Sequence, residues 1–245
     1  MKDWAFTTTV EEMEAATNSL LETAQKVGAD TWQQRVKNQT PHCGFGESGT
    51  CCRICSMGPC RITKKAPRGI CGCDVHGIVG RNYLRFTAGG SATHSDHGRE
   101  IMHTLYQTKE GGNYQVKDPE KLIRIAKEWG VETEGKDIYD LAHEMAEIGL
   151  LEYGKPFGVQ RFLKRAPEHT QELWHNAGIE PRAIDREVSQ AMHMTHMGCS
   201  SLPEALIKQS LRGHLVERNH YQHNERDYLP DMVYGYQEKG IKLSG

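Results

Sequence analysis

Residues 42–74 read HCGFGESGTCCRICSMGPCRITKKAPRGICGCD and hold seven of the eight cysteines in this chain of 245 residues. The cysteines follow the pattern C-x7-C-C-x2-C-x4-C-x10-C-x-C, and glycines are frequent between them. Few apolar residues recur there at regular spacing, so the segment cannot bury enough side chain to offset the entropy of ordering its backbone. We therefore expect a bound inorganic group to order it.

The composition excludes several classes of protein. Lys and Arg number 30 against 32 Asp and Glu, and the mean hydropathy is −0.65. A nearly neutral chain has no overall positive electrostatic field to attract nucleic acid. The sequence contains no run of about 18 apolar residues, which a transmembrane segment would need. The start, MKDWAFTTTV, has no signal-peptide pattern. We therefore expect a cytoplasmic protein, and in that reducing compartment clustered thiols more often bind metal than form disulfides.

The cysteine count divides the thiols into two groups. A cubane iron–sulfur cluster uses four cysteine ligands, and the set with the best spacing is Cys52, Cys55, Cys60 and Cys71. Cys43 and Cys51 remain as a pair, and the side chains of adjacent Cys51 and Cys52 are expected to point in different directions. Two copies of the pair, one from each chain of a symmetric dimer, complete a second site. The sequence thus predicts one [4Fe–4S] cluster in each chain and a second Fe–S cluster shared across a homodimer.

Two other interpretations of the same cysteines compete with this one. A zinc site of Cys52, Cys55, Cys71 and Cys73 has ribbon-like spacing, but it gives no role to the remaining three cysteines of the segment. A disulfide-bonded knot requires an oxidising compartment. Cys73 and the isolated Cys199 are expected to be packed or incidental thiols. Arg53 and Arg61 are expected to offset the charge of a cluster.

Outside the cysteine segment the apolar residues recur at helical spacing. Helices are predicted over 9–28, from Ser91 or Thr93 through HSDHGREIMHTLY, from Asp118-Pro119 to Gly130, from Asp137 to Gly154, and over 167–176, 181–197 and 203–217. Residues 32–40 are expected to be irregular, and no large sheet is predicted. The expected fold is mostly α, a helical domain wrapped around a glycine-rich, cysteine-ligated iron–sulfur loop. Its expected segments, all in one structural unit, are 1–40 (N-terminal helix and lead-in), 41–90 (cluster binding) and 91–245 (helical).

The residues from Cys43 onward, CGFGESGTCCRICSMGPCRI…GICGCDVHGIVGRN, together with the later HSDHGRE, resemble the N-terminal part of anaerobic nickel–iron carbon monoxide dehydrogenases. In that family this domain carries one [4Fe–4S] cluster within each chain and one cluster that bridges the dimer. The resemblance assigns Cys52, Cys55, Cys60 and Cys71 to the first and Cys43 and Cys51 to the second, in agreement with the cysteine count. It implies that the chain passes electrons between a CO/CO2 site and a ferredoxin-type acceptor.

The resemblance also implies a role for histidines after the motif. His94, His97 and His103 are expected to share one helical face and to serve as a proton relay, since imidazoles exchange protons near neutral pH. Glu100 stands where the resemblance predicts another histidine. The alternative is a solvated polar face on which the histidines are incidental.

The family's nickel-cluster ligands lie well downstream, and no cysteine follows Cys199 in this chain. We therefore expect that the chain alone does not oxidise CO, and that a longer chain or a partner supplies the nickel–iron–sulfur cluster. Three explanations are open: a fragment of a longer dehydrogenase, a short subunit whose catalytic part is a separate chain, or a divergent relative. A separate catalytic chain or acetyl-CoA synthase is an expected partner. The alternative functions are a stand-alone iron–sulfur electron carrier or redox sensor, and a zinc-stabilised interaction module.

Overall fold

The computed structural model of the chain describes residues 15–109 and 114–220. They fall into two compact units, one that ends at Ser48 and one that begins at Gly49. This division lies within the predicted cluster-binding segment 41–90. The predicted organisation as a single structural unit stays a prediction.

The first unit contains three helices, α1 (Ala15–Lys26), α2 (Trp32–Asn38) and α3 (Gly44–Glu47), in its described part. The first six residues of the helix predicted over 9–28 lie outside the described residues. The expectation that residues 32–40 are irregular is wrong, because α2 forms there. The Thr31 hydroxyl accepts a hydrogen bond from the N–H of Gln34 and so caps α2, and Arg35 pairs with Asp30 at 3.0 Å.

The second unit begins with two short antiparallel strands, β1 (Cys51–Cys52) and β2 (Cys60–Arg61). The helices that follow are α4 (Val75–Tyr106), α5 (Pro119–Glu128), α6 (Ile138–Gly154), α7 (Glu168–Ala177), α8 (Ile184–Thr195) and α9 (Pro203–His220), with a 3-10 turn at Arg161–Arg165 between α6 and α7. Because the sheet has only these two-residue strands, the prediction of a mostly α fold without a large sheet is confirmed. Among the described residues, no helix combines the length and apolar character needed to cross a membrane.

The long helix α4 begins well before the predicted start near Ser91. The Asp74 side chain caps it by accepting a hydrogen bond from the N–H of Gly77 at 2.9 Å. Glycines near the start of the helix are packing contacts. A Cβ on Gly80, for example, would lie 3.2 Å from Leu206 Cδ1 of α9. The glycine there lets α9 pack closely along α4, and the cysteine loop leads directly into the start of α4.

The core of the second unit lies between the helices. The C-terminal half of α4 packs against α5 and α6 through Ile101, Met102, Leu105, Leu122, Ile125, Trp129, Leu141 and Met145. A smaller cluster joins the first half of α4 to α8 and α9 through Leu84, Ala88, Ala191 and Leu206. The cysteine loop therefore rests on the end of α4 that α8 and α9 support.

Candidate metal centre

The four cysteines predicted to hold one cluster line a single cavity in the second unit. They are Cys52, Cys55, Cys60 and Cys71, and all four are free thiols. The remaining lining residues are Ile54, Gly58, Gly69, Ile70, Ile78, Arg81 and Met197. Four soft sulfur donors around one cavity, with apolar neighbours, form a donor set of the kind that holds an iron–sulfur cluster.

The pairing of the two strands explains why cysteines distant in sequence meet here. Cys52 of β1 lies directly opposite Cys60 of β2. Successive side chains of a strand point to opposite faces, and Cys52 lines the cavity whereas adjacent Cys51 does not. The Asn82 amide of α4 donates hydrogen bonds to the carbonyl oxygens of Gly49 (3.0 Å) and Cys51 (2.9 Å). These two bonds fix the strand against α4.

Backbone groups approach the sulfur atoms closely. The N–H of Ile70 donates a hydrogen bond to Cys60 Sγ at 3.4 Å. A Cβ on Gly69 would lie 3.5 Å from the same sulfur, and one on Gly58 would lie 3.1 Å from the Cys52 carbonyl oxygen. Glycine at position 69 therefore lets the main chain approach the Cys60 sulfur, and glycine at position 58 lets it approach the backbone of Cys52.

Arg81 supplies the positive charge of the site. The backbone N–H of Cys73 and the Arg81 guanidinium both donate to the Cys71 sulfur and lower the pKa of that thiol, against an upward effect of burial. Arg81 Nη1 lies 3.6 Å from Cys71 Sγ, and its Nε donates to the carbonyl oxygen of Ser200 at 2.6 Å. These contacts therefore favour the thiolate form of Cys71, which is the form that binds metal.

Sequence reasoning assigned the offsetting charge to other arginines. Arg53 and Arg61 are exposed, and Arg81 is the arginine found on the cavity wall. Arg81 lies ten residues after Cys71, and its position on the cavity wall depends on the helix that carries it. It was missed because α4 was predicted to begin near Ser91 rather than at Val75.

Other cysteines are placed away from the cavity. Cys73 is 2% exposed, and burial raises the pKa of its thiol. Cys199 is exposed on the segment between α8 and α9. Cys43, in the first unit, is exposed at the start of α3. In the described ranges, no three His, Cys, Asp or Glu side chains converge on a point suited to a single metal ion.

The three histidines of the predicted relay all lie on α4, but they do not share one face. His94 is partly buried, whereas His97 and His103 are exposed. The helix is continuous through these positions, so a helix with about 3.6 residues per turn places His103 about half a turn away from His94. The expectation of a single histidine face is therefore wrong for His103, and it stands for His94 and His97 alone.

Comparisons with known proteins identify the family of the chain. Residues 50–240 match the model of the Prismane/CO dehydrogenase family. Carbon monoxide dehydrogenase 1 of Methanosarcina mazei is 41% identical over 222 residues, which cover 89% of this chain and 35% of that protein. Carbon monoxide dehydrogenase 1 of Carboxydothermus hydrogenoformans is 36% identical over 84% of this chain and 34% of its own length.

Solved structures show the same similarity in three dimensions. The nickel-free crystal structure of carbon monoxide dehydrogenase from Thermococcus sp. AM4 superposes with a TM-score of 0.79 at 34% identity, over 94% of this chain and 38% of that one. A structure of acetyl-CoA synthase/carbon monoxide dehydrogenase has a TM-score of 0.83 at 32% identity, over 90% of this chain and 34% of that one. The chain thus spans about a third of the length of these relatives. The resemblance inferred from the cysteine motif is confirmed, and the chain belongs to the Prismane/CO dehydrogenase family.

Proposed function

We propose that this chain is the electron-transfer part of a nickel-dependent carbon monoxide dehydrogenase. The observation that carries the proposal is the single cavity lined by Cys52, Cys55, Cys60 and Cys71. Four thiols in this arrangement suit a [4Fe–4S] cluster, which supplies one-electron redox chemistry when bound. The names of the relatives support CO as the substrate of the whole enzyme.

The residues around the cavity have two tasks in this proposal. Hydrogen bonds from the Ile70 N–H and the Arg81 guanidinium stabilise the negatively charged sulfur ligands. The apolar side chains of Ile54, Ile78 and Met197 line the same cavity and limit the access of water to it. Solvent access and hydrogen bonds to sulfur both set cluster potentials, so the wall of the cavity is suited to electron transfer.

We assign Cys43 and Cys51 to a second cluster shared between two chains, on the strength of the sequence motif. A surface feature of α4 supports a second copy of this chain as the partner beside Cys51. Val79, Tyr83 and Phe86 recur at helical spacing and are exposed, Phe86 to 81%. Asn82, on the same side of α4, holds the Cys51 carbonyl. An exposed apolar stripe next to a ligand that needs a symmetry mate is what a homodimer contact requires.

The whole enzyme that we propose converts CO and water to CO2, two protons and two electrons at a nickel–iron–sulfur cluster that a longer chain or a partner supplies. The acetyl-CoA synthase named with one of the structural relatives is a candidate partner. The electrons leave through the clusters of this chain to a ferredoxin-type acceptor in the cytoplasm. His94 and His97 are the remaining candidates for the proton relay.

Metal analysis and activity together test this proposal. The protein is purified without oxygen, alone and with any chains that accompany it, and analysed for iron, nickel and zinc. Iron with visible charge-transfer absorbance, and CO-dependent reduction of an acceptor in the nickel-containing preparations, is the expected result. Iron without nickel or CO-dependent activity in every preparation would leave a stand-alone electron carrier or redox sensor. Zinc without iron would reject an iron–sulfur protein altogether.

A further inference from the structure

We propose that Arg81 is a positioning residue that raises the reduction potential of the cluster, and that the segment between α8 and α9 (residues 196–202) holds it in place. This inference rests on the proposed function, because it requires a cluster at Cys71. It goes further by naming a residue that controls the potential although it ligates no metal.

The burial of Arg81 demands an anion nearby. The side chain is 3% exposed, and a buried guanidinium is costly unless a negative charge compensates it. Its partners are the Ser200 carbonyl oxygen and the Cys71 sulfur. Within residues 15–109 and 114–220 no carboxylate forms an ion pair with it. A cluster held by four thiolates is anionic, so the bound cluster supplies the charge that Arg81 lacks among its protein neighbours.

The segment 196–202 fixes the position of the Arg81 guanidinium. Ser200 is 119 positions from Arg81 in sequence, yet its carbonyl accepts the Nε hydrogen bond at 2.6 Å. The backbone of the segment is itself held, since the N–H of Ser200 donates to the Met194 carbonyl at 3.2 Å. Met197 of the same segment lines the cavity. One segment therefore both covers the site and aims the guanidinium at Cys71.

The direction of the effect follows from charge. Reduction adds an electron to an already anionic cluster, and a fixed positive charge with an N–H donor stabilises the more negative state. Arginine keeps its charge at every accessible pH. Arg81 is therefore expected to raise the reduction potential, and its neutral replacement is expected to lower it.

The test compares two arginines one helical turn apart. Arg85 also donates a hydrogen bond through its Nε, to Thr195 Oγ1 at the end of α8 at 2.6 Å, but it does not line the cysteine cavity. Arg81→Gln and Arg85→Gln are made in the full chain, purified without oxygen, and titrated electrochemically while the reduced cluster is followed by electron paramagnetic resonance. Iron content is measured on each sample.

At the wild-type midpoint, Arg81→Gln is expected to lower the ratio of reduced to oxidised cluster about tenfold, which is a fall of about 59 mV for one electron. Arg85→Gln is expected to leave the ratio unchanged. An unchanged ratio in Arg81→Gln with full iron content, or an equal fall in both variants, overturns the inference. If Arg81→Gln does not load iron, Arg81→Lys decides, with a smaller fall expected and an unchanged ratio contradicting it. A wild-type chain without iron would instead overturn the proposed function.

Discussion

The close packing around Gly77 of α4 predicts how much an added methyl group would destabilise the contact between the cysteine loop, the start of α4 and segment 196–202. A Cβ at this position would lie 2.5 Å from Cys73 Sγ and 2.8 Å from the Ser201 carbonyl oxygen. Both distances are well below the about 3.5–4.0 Å of ordinary contacts between carbon atoms, so the neighbours must shift to admit a methyl group. Cys73 is buried, and the contact with Ser201 is with its main-chain carbonyl. Neither neighbour is therefore the mobile end of a long side chain. Gly77→Ala is therefore expected to destabilise the protein.

The size of the effect is separable from helix propensity by a matched substitution in the same helix. Overpacking costs about 1–3 kcal/mol, whereas alanine in place of glycine inside a helix contributes up to about 1 kcal/mol of stability. A Cβ on Gly89 of α4 would meet no neighbouring atom within 4 Å, so Gly89→Ala has the gain without the clash. The free energies of unfolding of the two variants are expected to differ by about 1–3 kcal/mol, with Gly77→Ala the less stable.

Urea unfolding followed by circular dichroism under anaerobic conditions measures this difference, and iron content shows whether the loop still binds its cluster. Equal stability of the two variants would refute the reasoning, because it would mean that segment 196–202 does not press against the start of α4. A Gly77→Ala chain more stable than Gly89→Ala would contradict it more strongly.

Three further predictions concern the cap of α4, a buried ion pair and an incidental thiol. Asp74→Ala removes the cap on the Gly77 N–H and is expected to cost about 1 kcal/mol of unfolding free energy, measured by urea unfolding. Burial alone would raise the pKa of Glu187, but hydrogen bonds from Arg182 and Gln209 outweigh it, so the pKa lies below its ordinary value. The stability that this carboxylate contributes is therefore complete above about pH 4.3, the unfolded pKa, and is lost as the pH falls through the folded pKa. Glu187→Gln is expected to reduce the fall of the melting temperature with pH in that acidic range, measured by thermal melts at a series of pH values. An unaltered fall would contradict the assignment. Cys199→Ser is expected to leave iron content unchanged, and a loss of iron would make Cys199 a ligand.

The parts of the fold that local chemistry determines could be predicted from the sequence. Asp118 and Pro119 begin α5, and Gly130 follows its end with a positive φ of 76°. The Asp137 side chain caps α6 by accepting from the Tyr139 N–H. In each case the signal lies within a few residues of the boundary that it sets. The same holds for the four cavity thiols, whose spacing brings them together through a short pair of strands.

The parts that depend on distant contacts could not be predicted. The start of α4 was placed too late because the glycine-rich stretch before Ser91 shows few apolar residues at regular spacing, whereas Gly80 in fact packs against Leu206 of α9. The role of Arg81 depends on Ser200, far along the chain. Neither relation leaves a local pattern, because each requires knowing which helix lies beside α4. The prediction that the three histidines share one helical face was wrong for a simpler reason. His94 and His103 lie nine residues apart and therefore cannot lie on the same side of a straight helix.

The most direct test of the account is the iron content of serine variants that separate the two cysteine groups. The anaerobically purified wild-type chain is expected to hold about six irons, from one cubane and half of a shared one. Cys51→Ser is expected to retain about four, and Cys52→Ser about two, since only the shared site survives. Loss of the larger share of iron in Cys51→Ser, or an unchanged content in Cys52→Ser, would contradict the assignment of Cys52, Cys55, Cys60 and Cys71 to the cluster within the chain.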